Sequence, residues 1–440
     1  MTEQINVLMI AHTFPPSSEV GGHRMAGFCR YLPDHGVRPV VVTVQEGVAG
    51  PGDRTIPIPK GILIKRTTTL ATPLDWYKRR KAKAPSSKGA PPAPTTRRER
   101  RGFIRRQSLA ILQTPDEFWG WYFPALRASK ELIKNKPIAA VLSTGPPWTA
   151  HLVARHLRKT LGIPWIADFR DPWAENEGLN DCPSWLRRIH VMLEASAIRR
   201  ADAVICNTEP LRLLFQERYP HLPATKFVTV TNGFDNAGGK VEIASRTSPE
   251  RLIVHMGSLY GERRIDTFCE AVAFLQTNEK TQASSVRIQF VGESEEKIMA
   301  AARRRTPELI SNNQIEFLPK VSWQKGQEIM WGADLLVLFP GNRFQVPAKF
   351  YEYLRTGKPI FAVANPGALT DLIDSTGAGV WADINDPKDI AGKLLTALQL
   401  PIRSQEEVQA RWDGQFHYRA LAAQLAEQIL RVARPPKSWH

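Results

Sequence analysis

"FQVPAKFYEYLRTGKPIFAV", Phe344 to Val363, joins three local signals. A helix is expected to open near Pro347, because proline suits the first turn of a helix. Thr356-Gly357-Lys358-Pro359 then reads as a helix stop. Pro359 to Val363 follows as a short, fully apolar run of the kind found in a strand buried on both faces. Upstream, "DLLVLF" (334–339) reads as another such strand, so the stretch completes a strand–helix–strand unit. Lys349 and Glu352, three residues apart, share one face of that helix among Phe350, Tyr351, Tyr353 and Leu354.

The same alternation runs outward in both directions. "LIVHM" (252–256) and "RIQFVG" (287–292) extend the series toward the middle of the chain. An earlier series comprises "NVLMIA" (6–11), "PVVVTV" (39–44), "AAVLS" (139–143), "PWIADF" (164–169) and "DAVICN" (202–207). Helix-like stretches such as 147–161 and 184–200 lie between them. Alternation of this kind predicts an α/β fold with two Rossmann-like, doubly wound parallel sheets. "GGKVEIASRTSPE" (238–250), with its Gly-Gly and Ser-Pro, reads as the linker. The expected organisation is an N-terminal domain over 1–237, a C-terminal domain over 251–415, and a last helical stretch from 416 that could pack back on either half. At 440 residues the chain is long enough for two cores.

Composition narrows the class. Hydrophobic content of 42% and charged content of 23% are those of an ordinary globular protein. The four cysteines (Cys29, Cys182, Cys206, Cys269) form no C-x-x-C pair, which argues against a zinc site or disulfide framework and fits a reducing cytoplasm. No apolar run has the length to span a bilayer, and the opening MTEQINVLMIAH reads as a first strand and not as a signal peptide. The net charge is +16, and 78–106 carries twelve basic residues against the single acid Glu99, a net +11. Within it "APSSKGAPPAPTT" (84–96) cannot build a core, so 78–106 is expected to be a disordered basic insertion. It is either a solvated loop or a site for an anionic partner such as lipid head groups, a phosphorylated substrate or nucleic acid. "GFIRRQSLAILQ" (102–113) then reads as a short basic amphipathic helix that either meets a membrane or packs on the domain.

In open α/β folds ligands bind beyond the carboxyl ends of the strands. After the first strand, Gly21 and Gly22 precede a helix expected to begin near His23. Beyond "PWIA", Asp168-Phe169-Arg170-Asp171 offers either a binding group or an internal Asp–Arg pair. After "LIVHM", Gly257-Ser258-Leu259-Tyr260-Gly261-Glu262-Arg263-Arg264 is a glycine loop with arginines, opening a helix near Ile265. It matches neither the dinucleotide nor the Walker pattern, yet exposed backbone N–H groups and an arginine suit a diphosphate. Lys349 opposes its helix dipole, a conflict that a bound anion would relieve. Glu352 could accept two hydrogen bonds from a vicinal diol such as a ribose; the alternative is a solvated i,i+3 ion pair.

Taken together, these segments resemble a bacterial glycosyltransferase of the GT-B fold, glycosyltransferase family 4 type. The resemblance rests on "AHTFPPSSEVGGHRMAGFCRYLPDHGVRPVVVT", "PDEFWGWYFPALRASKELI", "STGPPWTAHLVARHL", "PWIADFRDPW", "HMGSLYGERRIDTFCEAV" and "VPAKFYEYLRTGKPIFA", in that order and spacing. It implies a nucleoside-diphosphate sugar bound mainly by the C-terminal half, with Arg263 and Lys349 on the diphosphate, Gly257 and Ser258 in the donor loop, and Glu352 on the ribose. It implies Gly21, Gly22 and His23 facing the diphosphate and acceptor, with Asp171 as an acceptor-side or sugar-side contact. It further implies retention of anomeric configuration, no metal and no other cofactor, a saccharide or lipid-linked acceptor, and polysaccharide or lipopolysaccharide assembly. The expected setting is cytoplasmic, peripheral on an anionic inner membrane face, with no nucleic acid. Many relatives carry a glutamate eight residues before the second one; here Phe344 stands at that position. The rival readings are a sugar-nucleotide epimerase of the same fold, a catalytically inactive scaffold, or a nucleic-acid binder using the basic segment.

Overall fold

The computed structural model describes residues 4–48, 50, 52–83, 109–176, 179, 182–237, 241, 250–278 and 286–433. The N-terminal half is built on β1 (Ile5–Ile10), β2 (Val37–Val44), β3 (Leu63–Thr67), β4 (Ile138–Gly145), β5 (Trp165–Phe169), β6 (Ala203–Cys206) and β7 (Phe227–Thr229). They form one parallel sheet in the order β3-β2-β1-β4-β5-β6-β7. The C-terminal half uses β8 (Arg251–Met256), β9 (Val286–Val291), β10 (Ile315–Leu318), β11 (Leu335–Leu338), β12 (Ile360–Ala364) and β13 (Gly379–Asp383), in the order β10-β9-β8-β11-β12-β13. The chain is therefore a GT-B-type pair of doubly wound sheets. Each sheet reverses its winding at one seam, β1/β4 and β8/β11, and a crevice forms there beyond the strand ends.

Strands β3, β7, β10 and β13 are absent from the apolar runs of the sequence. All four are sheet edges. An edge strand is not buried on both faces and so carries polar residues such as Lys65, Arg66, Glu316 and Asp383.

Eight helices position the site: α1 (Val20–Tyr31), α2 (Pro73–Lys83), α3 (Thr149–Leu161), α4 (Ser184–Arg200), α5 (Asp266–Asn278), α6 (Trp323–Gly332), α7 (Ala348–Thr356) and α8 (Tyr418–Val432). α7 begins after Pro347, in extended conformation, and stops at Gly357, whose φ of 70° is left-handed. A Cβ at Gly357 would also meet the Arg403 carbonyl oxygen at 2.4 Å, so glycine is required twice over. α8 packs on the N-terminal half: Tyr418, Leu421, Leu425 and Ile429 join Val7, Met9, Met25 and Phe28 in one core. Gly27 permits that approach, since a Cβ there would meet the Tyr418 ring at 2.5 Å. The two strands of chain that cross between the halves bond to each other, Phe234 N to Phe416 O at 3.0 Å and Tyr418 N to Phe234 O at 2.9 Å.

Two sequence expectations are corrected. α1 begins at Val20, so Gly21 and Gly22 form its first turn and do not precede it. The reason is packing: a Cβ at Gly21 would fall 2.3 Å from the Arg170 guanidinium, and one at Gly22 would crowd the Phe14 backbone at 3.2 Å. The basic segment is not irregular throughout, because its first six residues, 78–83, close α2. Lys78 there donates to Glu117 at 2.5 Å. The rest of that segment, 84–106, lies outside the described residues, as do residues 102–108 of the expected amphipathic helix and most of the linker.

Candidate active site

α7 aims its N-terminal turn into the crevice between the halves. Lys349 Nζ donates to Glu352 Oε2 at 2.8 Å, and Gln327 Nε2 of α6 donates to the same oxygen at 3.1 Å. Burial alone would push the Glu352 carboxyl up, but Lys349 and His23 beside it hold it below the ordinary glutamate range. His23 itself is lowered, by burial first and by Lys349, against the opposing pull of Glu352. The pair is thus an ion pair, as one reading of the sequence allowed, but it sits in a cleft and not on a solvated face.

That cleft has a volume of about 650 Å³, and Gly257, Ser258, His23, Lys349 and Glu352 all line it. Its floor is two glycine turns at the ends of β8 and β9. Gly257 (φ 150°) and Gly292 (φ 143°) both adopt backbone that side chains disfavour. A Cβ on Gly292 would lie 2.4 Å from the Gly257 carbonyl oxygen, so the turns can nest only without side chains. Glycine turns of this kind bring backbone N–H groups close to a bound anion.

Arg263, Asp171, Gly21 and Gly22 do not line that cleft. Arg263 is buried beside it, at the edge of a second cavity of about 850 Å³. Its guanidinium stacks on the Tyr260 ring at 3.9 Å and donates to the Tyr260 carbonyl at 3.1 Å and to Gln345 Oε1 at 3.2 Å. Gln345 in turn donates to Asp171 Oδ1 at 3.4 Å, so one amide ties Arg263 to the N-terminal half. Thr208 adds a second tie, donating to the Phe344 carbonyl at 2.9 Å. The loop where relatives are expected to carry a glutamate therefore meets the N-terminal half through the Phe344 carbonyl and Gln345.

Asp168 is internal, whereas Arg170 is half-buried. Asp168 takes two bonds from Arg24, at 2.7 and 3.2 Å, and one from Thr144 at 2.7 Å. Burial would raise its carboxyl, but Arg24 holds it below the usual range. Arg170 donates to the Pro146 carbonyl. The sequence motif thus divides its labour: Asp168 faces inward, Arg170 lines a third cavity, and Asp171 faces the other half.

Gly21 also lines this third cavity, of about 890 Å³, at the ends of β1, β4 and β5. His12, Asp116, Phe118 and Trp148 share its wall. Burial lowers His12 to about 4, and its Nδ1 has no hydrogen-bond partner among the described residues. Burial raises Asp116 to about 6 although Thr149 N, Thr149 Oγ1 and Phe118 N all donate to it, at 2.7, 2.9 and 2.9 Å. Glu19 lines both this cavity and the 650 Å³ cleft, so the two adjoin. The sequence reading missed His12, Asp116, Gln345, Asp53 and Arg24. Asp53 lines the 650 Å³ cleft, and of the five only Arg24 lies inside a helix; the other four stand at strand ends or in loops, where ligands are expected.

The fold agrees with the comparisons. Residues 21–233 match the family model described as a glycosyl transferase 4-like domain, and residues 250–400 match glycosyl transferases group 1. The chain belongs to the glycosyltransferases of the GT-B fold. No curated protein sequence matches the transferase at a significant level. Among solved structures it resembles sucrose-phosphate synthase from Thermosynechococcus elongatus, at 14% identity and TM-score 0.65, over 97% of this chain and 99% of that one. It resembles Anabaena HepE in complex with UDP and glucose, at 14% identity and TM-score 0.56, over 98% and 97%. It also resembles WaaG, a glycosyltransferase involved in lipopolysaccharide biosynthesis, at 15% identity and TM-score 0.57, over 97% and 99%. Among the described residues of the transferase no helix is long and apolar enough to cross a membrane, and no three His, Cys, Asp or Glu side chains converge to hold a metal.

Proposed function

We propose that the 650 Å³ cleft binds the nucleoside-diphosphate sugar and that the 890 Å³ cavity receives the acceptor hydroxyl. The observation that carries this reading is the Lys349–Glu352 pair at the N-terminus of α7, facing the glycine turns. The diphosphate lies against Lys349, the first turn of α7 and the backbone of Gly257 and Ser258. A phosphate there competes with Glu352 for Lys349, and the released carboxylate accepts from the ribose hydroxyls. Arg263, held by Tyr260 and Gln345, adds positive charge as the diphosphate leaves. The charges that develop on the leaving group are met by groups already in place, so little reorganisation is needed at the moment of transfer.

The family resemblance supports retention of configuration, independence from metal and from other cofactors, and a saccharide or lipid-linked acceptor as parts of this reading. The net +11 of residues 78–106 supports a peripheral position on an anionic, cytoplasmic membrane face and gives no nucleic-acid module. The UDP held by Anabaena HepE makes UDP the first nucleotide to try.

The test is calorimetry with UDP and other nucleoside diphosphates on the whole chain, on Lys349→Ala and on Glu352→Ala. Losing a charge-assisted bond should weaken binding by roughly 1.5–3 kcal/mol in each variant, with the fold intact. Unchanged affinity in both would sink the donor-site assignment. Turnover of a bound sugar nucleotide to its epimer, with no acceptor present, would favour the epimerase reading instead.

A further inference from the structure

α4 presents an outward face that the fold does not use. Trp185, Arg188 and Met192 recur at i, i+3 and i+7, with Arg199 one further pair of turns along the same stripe. Trp185 is 49% exposed, Val191 41% and Met192 60%. The core needs none of them: Leu186, His190, Ala197 and Ile198 fill the inward face. The helix also carries Arg187, Arg188, Arg199 and Arg200, all exposed, and a single acid, Glu194. Glu194 is fully buried, where it accepts from Arg218 at 2.7 Å, Tyr219 at 2.8 Å and Ala174 N at 2.9 Å. The outward face is therefore apolar and positive with no negative charge. Arg188, Arg199 and Arg200 have no acidic partner among the described residues.

A water-exposed tryptophan and methionine between unpaired arginines match the head-group zone of an anionic bilayer. There an indole sits at the boundary and guanidiniums meet phosphates. We infer that the outer face of α4 lies on an anionic lipid surface. The inference rests on the proposed function and deepens it by giving the acceptor a lipid setting. The same helix walls the acceptor cavity: Cys182, just before α4, and His190, on its inner side, both line the 890 Å³ space. With α4 against the leaflet, that cavity lies next to the head groups, within reach of a lipid-linked hydroxyl.

The experiment is co-sedimentation of the whole chain with vesicles of equal parts phosphatidylcholine and phosphatidylglycerol, and with phosphatidylcholine alone. Two double variants, Trp185→Ser with Met192→Ser and Arg188→Glu with Arg199→Glu, change only exposed side chains. Each should lose about tenfold or more in partitioning to the anionic vesicles. Unfolding temperature and UDP binding should match the parent. A third protein lacking 84–101 should keep the part of the binding that α4 supplies. Parent-like binding by both double variants overturns the inference, and so does equal binding to neutral vesicles. If only the 84–101 deletion abolishes sedimentation, the basic segment is the anchor and α4 is not. A partner protein held through Trp185 while vesicles are ignored also overturns it. Because UDP binding is read separately, none of these failures is confused with failure of the donor site.

Discussion

The Arg24 guanidinium binds Asp168 and also donates to the carbonyls of Val230 and Thr231, at 2.8 and 2.6 Å, and to Asn232 Oδ1 at 3.1 Å. One side chain thus joins α1, β5 and the chain leaving β7. Asp168→Asn leaves a buried guanidinium without its counter-charge, and removing one partner of such a pair costs about 3–5 kcal/mol. Urea unfolding at neutral pH should show a loss of that order; a change below about 1 kcal/mol would mean the pair contributes little. The pH sense is fixed by the direction of the shift. The folded carboxyl titrates below its unfolded value, so its stabilisation is present above the unfolded aspartate pKa and fades as pH falls through the folded one. In the sequence, Asp168 and Asp171 flank the same arginine and look equivalent. The fold separates them: Asp168 lies within β5 and points inward, whereas Asp171 lies past its end and meets Gln345.

Among the elements, the loop 341–346 and α7 do the most. The loop receives Thr208 and Asp171 from the N-terminal half and delivers Gln345 to Arg263. Gln345→Leu should lower transfer rate by about tenfold while leaving nucleotide affinity within a factor of a few, because Lys349 and Glu352 are untouched. Gln345→Glu keeps a partner for Arg263 but sets a second carboxylate against Asp171, so its activity should recover as the medium is acidified. Rates measured from pH 5 to pH 8 with the sugar nucleotide identified by calorimetry check both; a flat profile for Gln345→Glu would show that the amide does not couple the two halves. A second interdomain contact caps α6: Asp53 accepts from Trp323 N, and Thr55 Oγ1 from Gln324 N at 3.2 Å. The helix donors that lack intrahelical partners are thus satisfied from the other half of the chain.

For the whole molecule, the buried imidazoles dominate the response to acid. Burial lowers His12 to about 4, His151 to about 3 and His255 to about 4. Each is neutral in the folded state and charges on unfolding below its ordinary value. Their contribution to stability is therefore complete above pH 6.5 and is lost as pH falls toward the folded values. At up to about 1.4 kcal/mol per pH unit each, the three together reach about 4 kcal/mol per unit near pH 5. Asp116 works the other way, since its raised carboxyl favours the folded state as pH drops from 6 toward 4. Denaturant unfolding between pH 4 and pH 7 should show stability falling steeply below pH 6, and replacing His151 by Asn should flatten the slope. A slope independent of that residue would refute its part in the acid response.

The sequence by itself determined the two series of parallel strands and the helix from Pro347 to its stop at Gly357. Those features are local: continuous apolar runs make central strands, and proline and glycine punctuate helices within a few residues. It did not show β3, β7, β10 and β13, because edge strands lack the double burial that produces an apolar run. Nor did it show that Gly21 and Gly22 belong inside α1, since the Arg170 guanidinium and Phe14 backbone that exclude a Cβ arrive from other parts of the chain. Tertiary structure alone decided that Gln345 links Arg263 to Asp171, that α8 returns to the N-terminal sheet, and that His12 and Asp116 line one cavity. Each of these depends on residues far apart in sequence being brought within hydrogen-bonding or packing distance, and no local pattern encodes such a meeting.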